Sequence, residues 1–310
     1  MSVITWIGLG NMGLPMATLL AQAGHTVRGV EINPSVSTAA EAVGITVYPS
    51  AAQAAAGADA VVTMLPTGDH VREMLLGPEG LFAQASEHTV FIDSSTIGVE
   101  CAKELHAVAA AANRRFVDAP VSGGVVRAAA GTLVFMIGGS DEDFHAASTL
   151  VGPLSSRIVH TGAAGTGQAA KIVNNLILAV CLAGTSEGLL LAERLGLDAG
   201  VFYDIAVNST AENFALRDWC PAPGVVPTAA SSHGYAPGFS ATLLLKDLTL
   251  ALQEGQNTRT ALATARTVHS LYATLVDDGG GQYDCTALLP ALREGRDSAH
   301  PIAAAADAAR

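Results

Sequence analysis

A glycine-rich turn between a buried strand and a helix is the feature that most constrains the fold of this chain. Val3–Ile7 has the apolar run of a buried strand, and a helical pattern covers Pro15–Ala23 after the sequence GLGNMG. In such a GxGxxG turn the first glycine permits a tight bend, the second lets the backbone approach a pyrophosphate, and the third permits close helix packing. Alone the motif is weak, because a glycine-rich turn can serve packing only.

The next segment strengthens this interpretation. Thr26–Val30 has the pattern of a second strand and ends at Glu31, about 20 residues after the glycines, where a carboxylate can bond the adenosine ribose hydroxyls. Strand, glycines, helix, strand and acid in this order predict a dinucleotide site with the phosphates at the helix N-terminus. Glu31 would repel a ribose phosphate and no basic residue follows at 32–35, so NAD is favoured over NADP. The predicted phosphate-binding residues are Gly8, Leu9, Gly10, Asn11, Met12 and Gly13.

Further strands and helices alternate after this unit, which predicts a mostly parallel sheet. Strand patterns at Ala60–Leu65 and Thr89–Asp93 are each followed by a helical pattern. Ligands of such sheets bind beyond the carboxyl ends of the strands, so residues there are candidate cofactor contacts. Two alternatives stay open, because a proline can simply stop a strand and Asp93 with Ser94 can cap a helix. The candidates are Leu65, Pro66, Thr67, Asp93, Ser94, Ser95 and Thr96.

Two later segments carry candidate substrate groups. A strand at Phe116–Val121 delivers the turn Ser122, Gly123 and Gly124, whose free backbone amides suit a small carboxylate, although it can equally be only a turn. A second glycine-rich stretch leads into a long apolar helix, on which Lys171 and Asn175 have the i, i+4 spacing that places side chains on one face. The alternative for this pair is a partly solvated lysine beside amides that satisfy backbone groups.

The helical pattern continues to about Arg293, so the chain divides in two. We expect an α/β fold in which a Rossmann-like doubly wound sheet (residues 1–163) precedes an all-helical C-terminal domain (164–295) for substrate binding and oligomerisation, with a flexible tail at 296–310. The predicted C-terminal helices are Ala199–Asn208, Ala241–Glu254, Thr260–Asp277 and Tyr283–Arg293.

Composition narrows the function classes. The chain of 310 residues has 28 acidic and 16 basic residues and a net charge of -12, which disfavours nucleic acid as a partner. Its four cysteines include no CxxC pair and its nine histidines are scattered, so we expect no metal and a reducing, cytoplasmic location. No charged and apolar leader precedes the first strand, so we expect no signal peptide. The uncharged run 172–186 is shorter than the ~20 residues of a membrane span, so we expect no membrane.

Four segments, in order, resemble the landmarks of the β-hydroxyacid dehydrogenases. They are Gly8–Ala17, Asp118–Gly124, Gly165–Asn175 and Lys246–Leu248. The region from Pro221 to Leu248 is similar in particular to the 3-hydroxyisobutyrate dehydrogenase branch of that family. The resemblance covers nearly the whole chain, and four ordered motifs are far more specific than one glycine loop.

The resemblance implies roles for individual residues. Lys171 would be catalytic, Ser122, Gly123 and Gly124 would hold the substrate carboxylate, and Asn175 would orient the substrate. Lys246 would lie near the nicotinamide ribose and the substrate, with Phe239 and Asp247 lining the same region. Leu65, Pro66 and Thr96 would contact the cofactor. Two departures are His70, where that branch commonly has a cofactor-contacting asparagine, and the loop Ser209–Phe214, which lacks the usual serine and glycine content.

The resemblance also implies an activity, which is reversible NAD-dependent oxidation of 3-hydroxyisobutyrate to methylmalonate semialdehyde, a step of valine catabolism. The alternatives are a related enzyme such as tartronate semialdehyde reductase, and, from another class, an inactive cofactor-binding module or chromatin-type reader. The presence of Lys171 and the acidic charge oppose that module. Imine reductases rank third because they generally lack this lysine. The long apolar helix predicts a homodimer or homotetramer.

Overall fold

The computed structural model describes residues 1–294 and divides into two compact units, Met1–Lys171 and a second that starts at Ile172. The predicted tail at 296–310 lies outside the described residues. The first unit is built around one sheet and the second is helical. The expected α/β fold class, with a Rossmann-like unit before a helical one, is therefore confirmed.

One nine-stranded sheet organises the first unit. Its strand order is β3-β2-β1-β4-β5-β6-β8-β7, with β9 paired to β8, so the first six strands have the 3-2-1-4-5-6 order of dinucleotide-binding sheets. Those six strands are parallel, whereas β8 is antiparallel to β6 and β7 and parallel to β9. The strands are β1 (Val3–Ile7), β2 (Thr26–Val30), β3 (Thr46–Val47), β4 (Ala60–Thr63), β5 (Val90–Asp93), β6 (Arg115–Asp118), β7 (Val121–Ser122), β8 (Leu133–Gly138) and β9 (Ser155–Gly162).

Apolar residues hold helices against both faces of this sheet. Ile4 and Trp6 of β1 lie in one buried cluster with Met16 and Leu20, whereas Ile7 lies in a second cluster with Phe91. Alternate residues of a strand point to opposite faces, so two clusters require two covered faces. The helices of this unit are α1 (Gly13–Gln22), α2 (Pro34–Ala42), α3 (Ala51–Ala55), α4 (Gly68–Leu76), α5 (Leu81–Gln84), α6 (Val99–Ala111), α7 (Gly124–Ala130) and α8 (Asp141–Val151).

The second unit is a set of helices around its own core. Ala179 and Leu182 pack with Leu244, Val268 and Tyr272 in one buried cluster. The helices are α9 (Thr166–Arg194, which begins in the first unit), α10 (Ala199–Ala206), α11 (Phe214–Arg217), α12 (Ala241–Asn257), α13 (Ala263–Asp277) and α14 (Leu288–Glu294).

The last predicted helix, Tyr283–Arg293, is interrupted. Cys285–Ala287 is a 3-10 turn and the α-helix starts only at Leu288. The buried Asp284 explains the late start, because its Oδ1 accepts the Thr286 N–H at 3.1 Å and its Oδ2 accepts the Phe239 N–H at 3.0 Å. A carboxylate that caps the following residues favours a turn at this position.

Among the described helices, α9 alone is long and apolar enough to cross a membrane by length and composition. Its most apolar 18-residue window has a mean hydropathy of 1.7, and 39% of that window is buried. The long core helix of a globular protein has the same character, so this observation is weak evidence for a membrane. The uncharged run 172–186 is only the central part of this helix, so its length underestimates the apolar span.

Candidate functional site

The glycine-rich loop between β1 and α1 has the geometry that its glycines allow. Gly8 has φ +89°, which favours glycine, and a Cβ on Gly13 would lie 1.9 Å from the Gly8 carbonyl oxygen. Gly10 is exposed, and a Cβ there would meet no described atom within 4 Å. The first and third glycines are therefore required by the turn and the helix contact, whereas the second leaves the backbone open to a ligand.

The start of α1 fits a phosphate group. No side chain of residues 1–294 caps its N-terminus, where Met12 stands at the N-cap position. Helix N-termini offer unpaired N–H groups and a positive dipole end, and both favour an anion. With the open face at Gly10, the residues fit the pyrophosphate of a dinucleotide.

Glu31, at the end of β2, already binds three backbone amides. Its Oε2 accepts the Leu9 N–H at 2.8 Å, and its Oε1 accepts those of Ile32 and Asn33 at 2.9 Å each. The carboxylate therefore connects the glycine-rich loop to the turn after β2, and it keeps lone pairs for ribose hydroxyls. Arg28 donates hydrogen bonds to the Ala54 and Ala56 carbonyls, so its guanidinium has a structural role.

The carboxyl ends of β4 and β5 lie side by side. Thr63 Oγ1 donates to Asp93 Oδ1 at 2.7 Å, and the Leu65 N–H donates to Ser95 Oγ at 2.9 Å. Burial raises the pKa of Asp93 to about 6 despite these bonds. The alternative that Asp93 and Ser94 cap the next helix is wrong, because Gly98 is the N-cap of α6 and no described side chain bonds there.

The other candidates of this region surround that contact. Pro66 is exposed and Thr96 is half-buried. Thr67 caps α4, and its hydroxyl lies 2.6 Å from His70 Nδ1. His70 therefore contacts a residue next to Pro66, while its role toward a cofactor stays open.

Ser122, Gly123 and Gly124 join β7 to α7. Gly123 has φ +141° and Gly124 has φ +69°, and a Cβ on Gly123 would come within 2.8 Å of Arg127. Two consecutive glycines are therefore needed for the backbone to turn here. The helix that follows, Gly124–Ala130, was missed in the sequence because it has only seven residues and begins with a glycine.

Lys171 is half-buried in the second turn of α9. The start of this helix is fixed by Asp118, a contact that the sequence does not predict. Asp118, fully buried at the end of β6, accepts the Gly165 N–H on Oδ1 and the Gln168 N–H on Oδ2, each at 2.9 Å. His106 Nε2 lies 2.8 Å from the same Oδ1. A carboxylate on the first amides of a helix stabilises its N-terminus.

Asn175 and Asp247 are brought together in the second unit. Asn175 Nδ2 donates to Asp247 Oδ2 at 2.6 Å, and Asn174 Nδ2 donates to Asn175 Oδ1 at 3.0 Å. The other Asp247 oxygen lies 3.2 Å from Lys246 Nζ, an ion-pair distance without the alignment of a hydrogen bond. Phe239 packs near Trp219, with ring centroids 6.4 Å apart.

The predicted site residues thus form groups within each unit. In the first unit the glycine-rich loop meets Glu31, and the Leu65 loop meets the loop that holds Thr96. In the second unit Asn175, Lys246 and Asp247 meet. Lys171 and Asn175 lie one turn apart on α9. Asp118 and Gln168 were not identified as site residues, because their contacts join segments distant in sequence.

Two family models match the chain. Residues 3–162 match the NAD binding domain of 6-phosphogluconate dehydrogenase, and residues 165–292 match the model described as NAD-binding of NADP-dependent 3-hydroxyisobutyrate dehydrogenase. Together they cover nearly all of the described residues.

Individual relatives agree with these matches. The chain is 42% identical to a 3-hydroxyisobutyrate dehydrogenase of Pseudomonas aeruginosa over 88% of this chain and 93% of that protein. It is 39% identical to an NAD-dependent L-serine dehydrogenase of the same organism, over 92% and 95%. A solved Mycobacterium tuberculosis 3-hydroxyisobutyrate dehydrogenase with L-serine superposes with a TM-score of 0.86 at 42% identity, over 94% and 99%. The chain is therefore a nicotinamide-dependent oxidoreductase and belongs to the β-hydroxyacid dehydrogenase family.

Proposed function

We propose that this protein is a 3-hydroxyisobutyrate dehydrogenase that uses NAD and interconverts 3-hydroxyisobutyrate and methylmalonate semialdehyde. The observation that carries the proposal is Lys171, half-buried on α9 one turn before Asn175, whose amide is held by the buried Asp247. A cation and an oriented amide on one helix suit an alcohol oxygen that must exchange a proton. The 42% identity to proteins of this name supports the substrate.

In this mechanism, bound NAD supplies the hydride acceptor. As the hydride leaves the carbinol carbon, the Lys171 amine accepts the hydroxyl proton and the C–O bond becomes a carbonyl. In the reverse direction the Lys171 ammonium donates that proton to the carbonyl oxygen. Asn175 orients the substrate through the amide hydrogen that does not bond Asp247.

Other residues hold the two ligands. Ser122, Gly123 and Gly124 bind the substrate carboxylate, with Lys246 and Phe239 beside it. The glycine-rich loop from Gly8 to Gly13 binds the pyrophosphate, and Glu31 binds the adenosine ribose. Leu65, Pro66, Thr96, Lys246 and Asp247 complete the cofactor contacts of the proposal.

A second candidate substrate is L-serine. The relative named NAD-dependent L-serine dehydrogenase is nearly as similar as the 3-hydroxyisobutyrate dehydrogenases, and the solved structure contains L-serine. Both molecules are 3-hydroxy acids that differ in the substituent on carbon 2, so the same Lys171 chemistry serves either. Glycerate is a third substrate of this kind, as for a tartronate semialdehyde reductase.

Steady-state kinetics of the purified protein test the proposal. 3-Hydroxyisobutyrate, L-serine, glycerate and 3-hydroxypropionate are each compared with NAD and with NADP. We expect the highest kcat/KM for 3-hydroxyisobutyrate with NAD. A higher value for L-serine would replace the substrate, and the absence of turnover on all four would favour the inactive cofactor-binding module.

The remaining assignments follow from this activity. Apart from Ser122 to Gly124 and from Lys246 and Asp247, we place the cofactor contacts in residues 1–163 and the substrate and subunit contacts in 164–295. A cytoplasmic location and a role in valine catabolism fit the substrate. The four cysteines, at 101, 181, 220 and 285, are free thiols, which suits a reducing compartment.

An exposed apolar face supports the proposed homodimer or homotetramer. Val173, Ile177 and Leu191 are 56%, 56% and 60% exposed and recur along one side of α9, and Leu195, which directly follows the helix, is 77% exposed. Val201 and Ile205 of α10 are also more than half exposed. Exposed apolar side chains grouped on one side of a helix are typical of an interaction site.

The middle of this helix face favours a protein partner over lipid. A groove of about 410 Å³ lies between α9 and α13, and the exposed Glu187 lines it beside Thr264 and Thr267. A carboxylate in mid-helix is costly in a bilayer, whereas protein interfaces mix apolar and polar groups. The proposed partner is a second copy of this chain.

A further inference from the structure

Gln168 is a fully buried amide three residues before Lys171. Its Oε1 accepts the Ile97 N–H at 3.0 Å, and its Nε2 donates to the Ser95 carbonyl at 2.9 Å. Residues three apart on a helix lie on the same side, so Gln168 and Lys171 project in similar directions from α9. Both polar ends of a buried side chain are therefore engaged next to the proposed proton donor.

The two partners of Gln168 flank Thr96, a proposed cofactor contact. Ser95 is itself buried, and its hydroxyl accepts the Leu65 N–H. Gln168 thereby joins the helix of Lys171 to the loop after β5, and Ser95 joins that loop to the one after β4. The cofactor of such sheets binds at these carboxyl ends of the strands. All of these residues belong to the first unit.

The backbone of the same helical turn is held independently. The Gln168 N–H and the Gly165 N–H both donate to Asp118, so the start of α9 is fixed to β6 as well. A Cβ on Gly167 would lie 2.5 Å from the Asp118 carbonyl oxygen and 2.5 Å from the Met136 carbonyl oxygen, so the backbone of the helix start packs closely against both strands. Asp118 fixes where α9 begins, and the Gln168 side chain fixes the cofactor-side loop against it.

We propose that Gln168 is a positioning residue that keeps the Lys171 amine aligned with the loop 95–97. The proposal rests on the proposed role of Lys171. Gln168 itself contacts no reacting atom. It acts by fixing the position of α9 relative to the loop 95–97. A misplacement of about 1 Å at a reacting group can cost about 100-fold in rate.

The test is Gln168→Met, which keeps an unbranched side chain of similar length and removes both hydrogen bonds. The matched control is Gln53→Met, an exposed glutamine on α3 of the same unit. We expect kcat to fall about 100-fold in the first variant and not in the second, while the Kd for NAD and the KM for the hydroxy acid change less than about threefold. An unchanged kcat, or an equal loss of NAD affinity, would overturn the proposal.

Two further variants keep the result decisive. If Gln168→Met does not fold, Gln168→Glu retains the acceptor for Ile97 and loses the donor for Ser95, so a decrease in kcat of about tenfold or more is still expected and full activity contradicts the inference. In a Lys171→Ala background, Gln168→Met should leave the residual rate unchanged, because a residue that acts through Lys171 has nothing left to align. An additional loss of about 100-fold there would indicate a general structural role.

The controls also separate this inference from the proposed function. Wild-type protein without hydroxy acid turnover, or Lys171→Ala with full turnover, removes the proposed function and the inference together. Active wild type with a Lys171-dependent rate, combined with a fully active Gln168→Met, removes the inference alone.

Discussion

Asn175 Nδ2 and Asp247 Oδ2 are 2.6 Å apart, and both side chains are at most 3% exposed. A buried hydrogen bond to a charged group is among the stronger contacts of a protein, worth about 1.5–3 kcal/mol. The bond fixes the rotation of the Asn175 amide, so Asp247 has a use that does not require contact with the cofactor.

The first prediction concerns Asp247→Asn. We expect kcat/KM for the hydroxy acid to fall about 10- to 100-fold, because the Asn175 amide loses its charged acceptor. The Kd for NAD, measured by fluorescence titration, should change less than about threefold. Asp204→Asn, an exposed carboxylate on α10, is the control. A loss of NAD affinity as large as the loss of kcat/KM would show that Asp247 acts mainly through its proposed cofactor contact and not through Asn175.

Lys171→Ala should lower kcat by about 100- to 10,000-fold, the usual contribution of a general acid or base. NAD affinity should persist, because the proposed role concerns only the hydroxyl proton. The comparison variant is Lys103→Ala, an exposed lysine that pairs with Glu100. Rates come from NADH absorbance under saturating substrate, and a variant that retains more than about a tenth of wild-type kcat removes Lys171 from the mechanism.

Cofactor preference should depend on Glu31. We expect wild type to favour NAD over NADP by about 100-fold in kcat/KM, since a carboxylate about 4 Å from a ribose phosphate repels it by about 1–4 kcal/mol and about 2.7 kcal/mol corresponds to that factor. Glu31→Gln should reduce the NAD-to-NADP ratio of kcat/KM about tenfold, because the repelling charge is removed. It should also weaken NAD binding, because the glutamine amide has one acceptor oxygen where the carboxylate uses two for the Leu9 and Ile32 N–H groups. Glu41→Gln on α2 should change neither value. Wild type that prefers NADP would contradict the role given to Glu31.

The pH dependence of stability should reflect Asp93. Its pKa is about 6 in the fold and 3.8 otherwise, so the folded state binds the proton more tightly and this group destabilises the fold as the pH rises through that window, by up to about 3 kcal/mol. We expect Asp93→Asn to gain about 2 kcal/mol relative to wild type between about pH 4.5 and about pH 7.5. Urea denaturation without cofactor at both values measures this difference. A constant difference between the two proteins would show that Asp93 does not titrate in this window.

The oligomer should depend on the exposed side of α9. Ile177→Glu and Leu191→Glu each introduce a charge into the proposed interface, and we expect the molar mass from light scattering to fall to that of one chain. Val126→Glu, at an apolar residue of the first unit that is 75% exposed, should leave the mass unchanged. A monomeric wild type would refute the proposed homodimer or homotetramer.

Local signals predicted the first part of the fold well. The strand at Val3–Ile7, the glycines and the strand that ends before Glu31 are read from spacing and hydrophobic runs, and the structure has these elements at nearly the same residues. Helix α2 was missed although Asn33 caps it and Pro34 opens it, which are recognisable start signals. The apolar residues of α2 do not recur at a clear helical spacing, so these start signals alone did not indicate a helix.

The contacts that organise the candidate site were beyond sequence reasoning. Asp118 reaches the Gly165 amide across 47 residues, and Asn175 reaches Asp247 across 72. Such hydrogen bonds depend on the tertiary packing of strands and helices, which the periodicity of the sequence does not specify. The residue types were visible as motif members, but their partners were not.

The hydrogen bond from Leu9 to Glu31 has a consequence for ligand capture. Because this bond holds the glycine-rich turn in the folded protein itself, the conformational entropy of the turn is lost during folding. In the proposed binding mode, NAD meets a turn that is already ordered, so its affinity is not reduced by the entropic cost of ordering that turn.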